Sequence, residues 1–115
     1  MCGIVGIVAS EQASVLGALR RMSGAVAHRG PDDAGEEVIQ IASGVIGLGH
    51  RRLAILDLSP KGHQPMRDPV TGNWLSYNGE IFNLVELRKE LKARGRHFFS
   101  RTDTEVVLAA YAEWG

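Results

Sequence analysis

Met1-Cys2-Gly3-Ile4-Val5-Gly6-Ile7-Val8-Ala9 is the stretch on which the reading of this chain turns. From Gly3 to Ala9 it is short, apolar and β-branched, which predicts a buried strand. The run is far too short for a signal peptide or a membrane span, and no basic segment precedes it. Cys2 is the only cysteine of the chain. Its small side chain makes Met1 a good substrate for methionine aminopeptidase, which would leave the thiol beside its own free α-amine. Such an amine titrates around pKa 7.7–8.0 and is placed to act as general base for a nucleophile on the same residue. The plainer reading is a cysteine that packs in a buried strand, since free cysteine is among the most buried residue types. Position alone favours the plainer reading.

Composition narrows the classes. The chain has 115 residues, of which 44% are hydrophobic and 23% charged, an ordinary globular balance with room for one small domain or part of a larger one. Thirteen basic residues offset thirteen acidic ones, so nothing points to a nucleic acid or a membrane surface as partner. A single cysteine excludes an internal disulfide framework and suits a reducing, cytoplasmic setting. There is no repeat, low-complexity run or linker.

Working outward from the opening strand, Ser10 is a candidate cap for a helix to about Val26, with Val15, Leu19, Met22 and Val26 as its apolar stripe. His28-Arg29-Gly30-Pro31-Asp32-Asp33 ends it, because Gly-Pro cannot continue a helix. Glu37–Ala42 and Val45–His50 read as a strand pair joined at Ser43-Gly44. A short apolar run from Leu53 to Leu56 leads into a proline-bearing loop from Ser59 to Gly72. Asn73–Tyr77 reads as a strand ending at Asn78-Gly79, a pair suited to a turn. Asn83 with Glu86 resembles a capping box opening a helix with Leu84, Leu87 and Leu91 inward and Gly95 as its stop. Thr102 with Glu105 repeats the pattern, and there Val107, Ala110, Tyr111 and Trp114 fall on one predicted apolar face. Several strands and three helices without regular βαβ alternation indicate an α+β fold.

Other chemistry is sparse. His28, His50, His63 and His97 lack the spacing of a metal site, and no cysteine pair supports them. No segment reads as a P-loop or a dinucleotide fingerprint. His50-Arg51-Arg52 could bind a carboxylate, or be a solvated strand end. Asn78-Gly79-Glu80 could supply oxyanion donors and a substrate anchor, or be a plain turn before a helix. Asp103 is most simply a helix first-turn acid, favoured there by the macrodipole.

Taken together and in order, Met1-Cys2-Gly3-Ile4-Val5-Gly6, His28-Arg29-Gly30-Pro31-Asp32, Gly49-His50-Arg51-Arg52-Leu53-Ala54-Ile55, Gln64-Pro65, Tyr77-Asn78-Gly79-Glu80-Ile81-Phe82-Asn83 and Thr102-Asp103-Thr104-Glu105 resemble the class II glutamine amidotransferases. Within that group they are most similar to the glutaminase domain of glutamine-hydrolysing asparagine synthetases. The resemblance implies that Cys2 is the nucleophile with its α-amine as base, and that Asn78 and Gly79 form the oxyanion hole. It further implies that Arg52 clamps the α-carboxylate of L-glutamine and that Glu80 and Asp103 receive its α-ammonium. Arg51 holds a variable family position and is given no role. Arg29 and Asp32 are expected to hold a loop by internal hydrogen bonds.

The family's fold is a four-layer αββα sandwich of antiparallel sheets, the N-terminal nucleophile hydrolase fold, and its domain is longer than this chain. Residues 1–115 are therefore expected to be the N-terminal portion of a glutaminase domain. The family's ATP-binding synthetase domain, with its S-G-G-x-D loop, is expected to lie outside these residues. No cofactor is expected in this chain, ATP and Mg being expected in that domain, and a homodimer is compatible with the full-length protein. Two alternatives remain: an amidotransferase with another acceptor (a sugar, a polysaccharide intermediate or a phosphoribosyl donor), or a non-catalytic module that kept the fold.

Overall fold

The opening strand forms as its pattern predicts. In the computed structural model, which describes residues 1–115, β1 runs Gly3–Ala9 and pairs antiparallel with β3, Gly44–Arg52. β2, Asp33–Ile41, pairs with the other edge of β3, giving a three-stranded antiparallel sheet of order β1-β3-β2. The β2–β3 hairpin turns at Ala42-Ser43, with Ile41 opposite Gly44, one residue before the expected join at Ser43-Gly44, and β2 starts at Asp33 rather than Glu37. Helix α1, Val15–Ala25, covers one face of this sheet. Val15, Leu19 and Val45 form its core, with Val5, Ile7, Ala9 and Val38 packed around them. Gly47 makes room for Leu19, and Gly49 for Val5: a Cβ at Gly47 would lie 2.7 Å from a Leu19 methyl carbon, and one at Gly49 2.6 Å from a Val5 methyl carbon.

The helix starts later than the expected cap at Ser10. Ser14 occupies the N-cap position at φ 80° with no side-chain cap bond. Residues 10–14 are needed instead to carry the chain from the end of β1 back across the sheet face. There the Val15 N–H closes a turn onto the Gln12 carbonyl at 3.1 Å.

After β3 the chain loops through a short 3-10 turn at Pro60–Gly62 and a cis Gln64-Pro65 bond into β4, Met66–Arg67. β4 pairs antiparallel with β5, Trp74–Leu75, so the strand expected over Asn73–Tyr77 is reduced to its centre. Two helices follow: α2, Leu84–Ala93, and α3, Asp103–Trp114. Leu91, Val106 and Ala109 form a second small core, with Leu84, Leu87 and Phe98 against it. Gly95, at φ 93°, ends the α2 segment as its sequence position indicates.

Both predicted capping boxes are altered. Asn83 makes no side-chain cap bond. Thr102 Oγ1 does accept from the Glu105 N–H, at 3.4 Å, but the Glu105 carboxylate reaches past the cap. It accepts from the N–H groups of Phe99 and Ser100 at 2.8 and 2.7 Å and from the Ser100 hydroxyl at 2.5 Å. The inward face of α3 is also not the predicted one. Thr104, Glu105, Val106, Leu108 and Ala109 are buried, whereas Tyr111 is 62% and Trp114 46% exposed. The small Ala109 lets α3 approach α2, which a face led by two bulky aromatics would not. The α+β architecture with antiparallel sheets is as read from the sequence.

Candidate active site

Antiparallel pairing brings the first residue of one strand beside the last of its neighbour. With Gly3 opposite Arg51, Cys2 and Arg52 meet at one end of the sheet. The 77–80 turn and the start of α3 close over that end. Cys2, Arg52, Asn78, Gly79, Glu80 and Asp103 all line one cavity of about 240 Å³, with Met1, Gln64, Tyr77 and Thr104 also in its wall. That volume suits an amino acid better than a nucleotide.

The Cys2 side chain is half-buried. Its Sγ accepts from the Leu53 N–H at 3.3 Å and donates to the Leu53 carbonyl at 3.7 Å. Arg29 Nε donates to the Cys2 carbonyl at 3.1 Å, and Asp32 Oδ2 accepts from the Ala54 N–H at 2.8 Å. These two residues therefore secure the Cys2 end of β1 and the 53–54 loop. They hold a loop by internal hydrogen bonds, as expected, and the partners lie far along the chain. Met1 is 70% exposed, open to an aminopeptidase.

Arg52 is only 6% exposed. Its NH1 donates to the Ser59 carbonyl at 3.0 Å, and its NH2 donates to the carbonyls of Leu56, at 3.0 Å, and Asp57. A Cβ at Gly62 would come within 2.2 Å of the guanidinium, so any other residue there would push the Arg52 side chain out of this position. Asp57, at φ 50°, fastens the same loop to the approach to α3. Its carboxylate accepts from the Ser59 hydroxyl, from the Arg101 N–H at 2.8 Å and from the Ser59 N–H at 3.1 Å. Those bonds, the Ser59 hydroxyl foremost, hold its pKa down to about 2.

The opposite wall carries donors and carboxylates. Within the chain, no hydrogen bond engages the Asn78 amide or the Gly79 N–H. The Tyr77 ring lies against Gly79, where a Cβ would meet the phenol oxygen at 2.6 Å. Burial first, and the charges of Asp103 and Glu80 after it, push the Tyr77 phenol up and keep it protonated. Asp103 opens α3. Burial raises its carboxyl above the usual range and the Glu80 charge adds to this, while the N–H groups of Thr104, Asp103 and Ile81 partly offset both. His50 is buried and its pKa is lowered mainly by desolvation. Its Nε2 lies 3.0 Å from the Tyr77 carbonyl, so the neutral ring carries its proton on Nε2 and donates it there. A cation anchor, two free donors, two carboxylates and a thiol around one small cavity can hold a zwitterion and attack its far end.

The family model described as a glutamine amidotransferase domain matches residues 1–115. The chain is 40% identical to a putative glutamine-hydrolysing asparagine synthetase of Methanocaldococcus jannaschii, over the whole of this chain and 24% of that protein. It is 37% identical to a glutamine-hydrolysing asparagine synthetase of Bacillus subtilis, over 99% of the chain and 18% of that protein. A Penicillium rubens protein named as an amidase is 35% identical over the whole chain and 18% of its own length. The chain thus spans between 18% and 24% of the length of these curated relatives.

Proposed function

This chain belongs to the glutamine amidotransferase domain family, and from that membership we propose that it is the glutamine-hydrolysing part of an asparagine synthetase. The observation that carries the reading is the convergence of Cys2, Arg52, Asn78, Gly79, Glu80 and Asp103 on one cavity of amino-acid size. Removal of Met1 frees the Cys2 α-amine. Arg52 pairs with the substrate α-carboxylate, and Glu80 and Asp103 with its α-ammonium, so an amino acid lacking either charge is rejected. The α-amine takes the thiol proton and the thiolate adds to the side-chain amide carbon. Asn78 and the Gly79 N–H hold the resulting oxyanion; one such donor is typically worth about 2.7–4 kcal/mol in the transition state. Collapse returns the proton to the leaving nitrogen, releasing ammonia and a γ-glutamyl thioester. Water, deprotonated by the same amine, cleaves the thioester to glutamate and restores the thiol.

The remainder of the parent protein completes the proposal. The sheet face opposite α1 carries Ile4 at 50% and Val8 at 76% exposure, an apolar surface suited to the second sheet of a four-layer αββα sandwich. Residues 1–115 are then the N-terminal portion of the glutaminase domain, acting in the cytoplasm, where a lone thiol stays reduced. In this reading ATP and Mg serve the part of the protein that consumes ammonia. An acceptor other than aspartate is a second reading, favoured by the amidase name carried by one relative.

In the full-length protein, Cys2→Ala should abolish glutamine hydrolysis while leaving any synthesis driven by free ammonia. Glutamine turnover that survives the substitution overturns the nucleophile assignment. A wild-type protein that loses Met1 yet hydrolyses no glutamine would instead support a non-catalytic module.

A further inference from the structure

We propose that Gln64 is a positioning residue that sets the distance between the two ends of the substrate cavity; the proposal rests on the glutamine-hydrolysing reading above. Gln64 is 6% exposed, in the loop between β3 and β4. Both ends of its amide are used. Oε1 accepts from the Tyr77 N–H at 2.7 Å, and Nε2 donates to Thr104 Oγ1 at 3.0 Å. The other side of Tyr77 is held as well, its carbonyl accepting from His50.

The two partners of Gln64 stand next to the working residues. Tyr77 directly precedes Asn78-Gly79, and its ring touches Gly79, so a shift of Tyr77 is passed to the oxyanion donors. Thr104 directly follows Asp103 at the first turn of α3. One planar amide therefore spans from the turn that receives the oxyanion to the helix end that receives the ammonium. A glutamine suits the task because it offers an acceptor at one corner and a donor at the other without adding charge beside Asp103. The other link between this segment and α3 is the Ile81 N–H on the Asp103 carboxylate, which lies beyond the turn and does not hold Tyr77.

The two anchors should affect different steps. Loss of the Tyr77 anchor misaligns donors that act in the transition state and lowers kcat; loss of the Thr104 anchor loosens the ammonium end and raises KM. A glutamine that is merely a satisfied buried group would, when removed, reduce the number of folded sites and leave the survivors unchanged.

The test uses the full-length protein, with sites counted by stoichiometric labelling of Cys2 with an electrophilic glutamine analogue. Gln64→Met keeps length and removes both bonds; it should lower kcat per labelled site roughly 10- to 100-fold and raise KM. Thr104→Val removes only the α3 anchor and should raise KM on the order of 5-fold with kcat per site near wild type. If Gln64→Met fails to fold, Thr104→Val alone carries the test. Wild-type kcat and KM per labelled site in either folded variant would overturn the positioning role while leaving glutamine hydrolysis intact. A wild-type protein that neither hydrolyses glutamine nor labels would overturn the reading beneath it.

Discussion

The residues up to Arg52 and those after it contribute to the same cavity by different means. In the first region Cys2 and Arg52 stand at strand ends, and backbone register brings them together. Its core is apolar, built on Val15, Leu19 and Val45. In the second region Asn78, Gly79, Glu80 and Asp103 stand on a turn and a helix start. Side-chain hydrogen bonds hold them: Gln64 to Tyr77 and Thr104, and Glu105 to the residues before α3. Arg88 adds to this, donating to the carbonyls of Ser100 and Thr102 at 2.8 and 3.0 Å. Cys2 and Arg52 thus rest on a frame set by hydrophobic burial, and Asn78, Gly79, Glu80 and Asp103 rest on a polar network. Apolar frames fail by losing stability, whereas polar networks fail first by losing geometry.

The largest effect should come from the first region. Leu19 is fully buried where α1 packs over Gly47 of β3. Leu19→Ala should cost about 3–5 kcal/mol, read as a lower urea midpoint. In the molecules that remain folded, the KM for glutamine should not move. A raised KM at unchanged folded fraction would break the division between frame and anchors.

Glu105→Gln should have a smaller effect on stability and a larger one on the site. The substitution places an NH2 group against the Phe99 and Ser100 N–H donors that the carboxylate now satisfies, costing about 2 kcal/mol. Because those bonds set the entry to α3, KM for glutamine should rise with the loss of stability. A destabilised variant with wild-type KM would show that Asp103 is held by something other than this network.

The same division explains what the sequence made legible. β1, the β2–β3 hairpin and the α2 stop at Gly95 follow from local periodicity and turn chemistry, and the structure has them. The candidate residues were legible only because their motifs occur together in order; each motif alone also admits a plain structural reading. Legibility ended where partners are distant. Gln64 and Thr104 are 40 residues apart and carry no joint signal, and Arg29 and Asp32 act on residues 27 and 22 positions away. The buried face of α3 was misjudged for a related reason. Tyr111 and Trp114 dominate any local hydrophobic pattern, but the fit to α2 is decided by Ala109.

The smallest effect concerns the cost of the anchor itself. Asp103 has its carboxyl raised chiefly by burial, with the Glu80 charge adding to it, so the ionised form is less favourable in the folded chain than in the unfolded one. That cost is absent below the unfolded value of about 3.9 and fully present once pH exceeds the raised folded value. Asp103→Asn removes it. The variant should therefore gain stability over wild type as pH rises from about 3, and the gain should stay level to about pH 7. Its KM for glutamine should rise over the same neutral range, because the α-ammonium loses a charged partner. Urea midpoints at the two ends of that range check the first part and steady-state kinetics the second. A variant equal to wild type in stability at both ends would mean that Asp103 carries no folding cost, its carboxylate being fully compensated by the N–H groups of Thr104, Asp103 and Ile81.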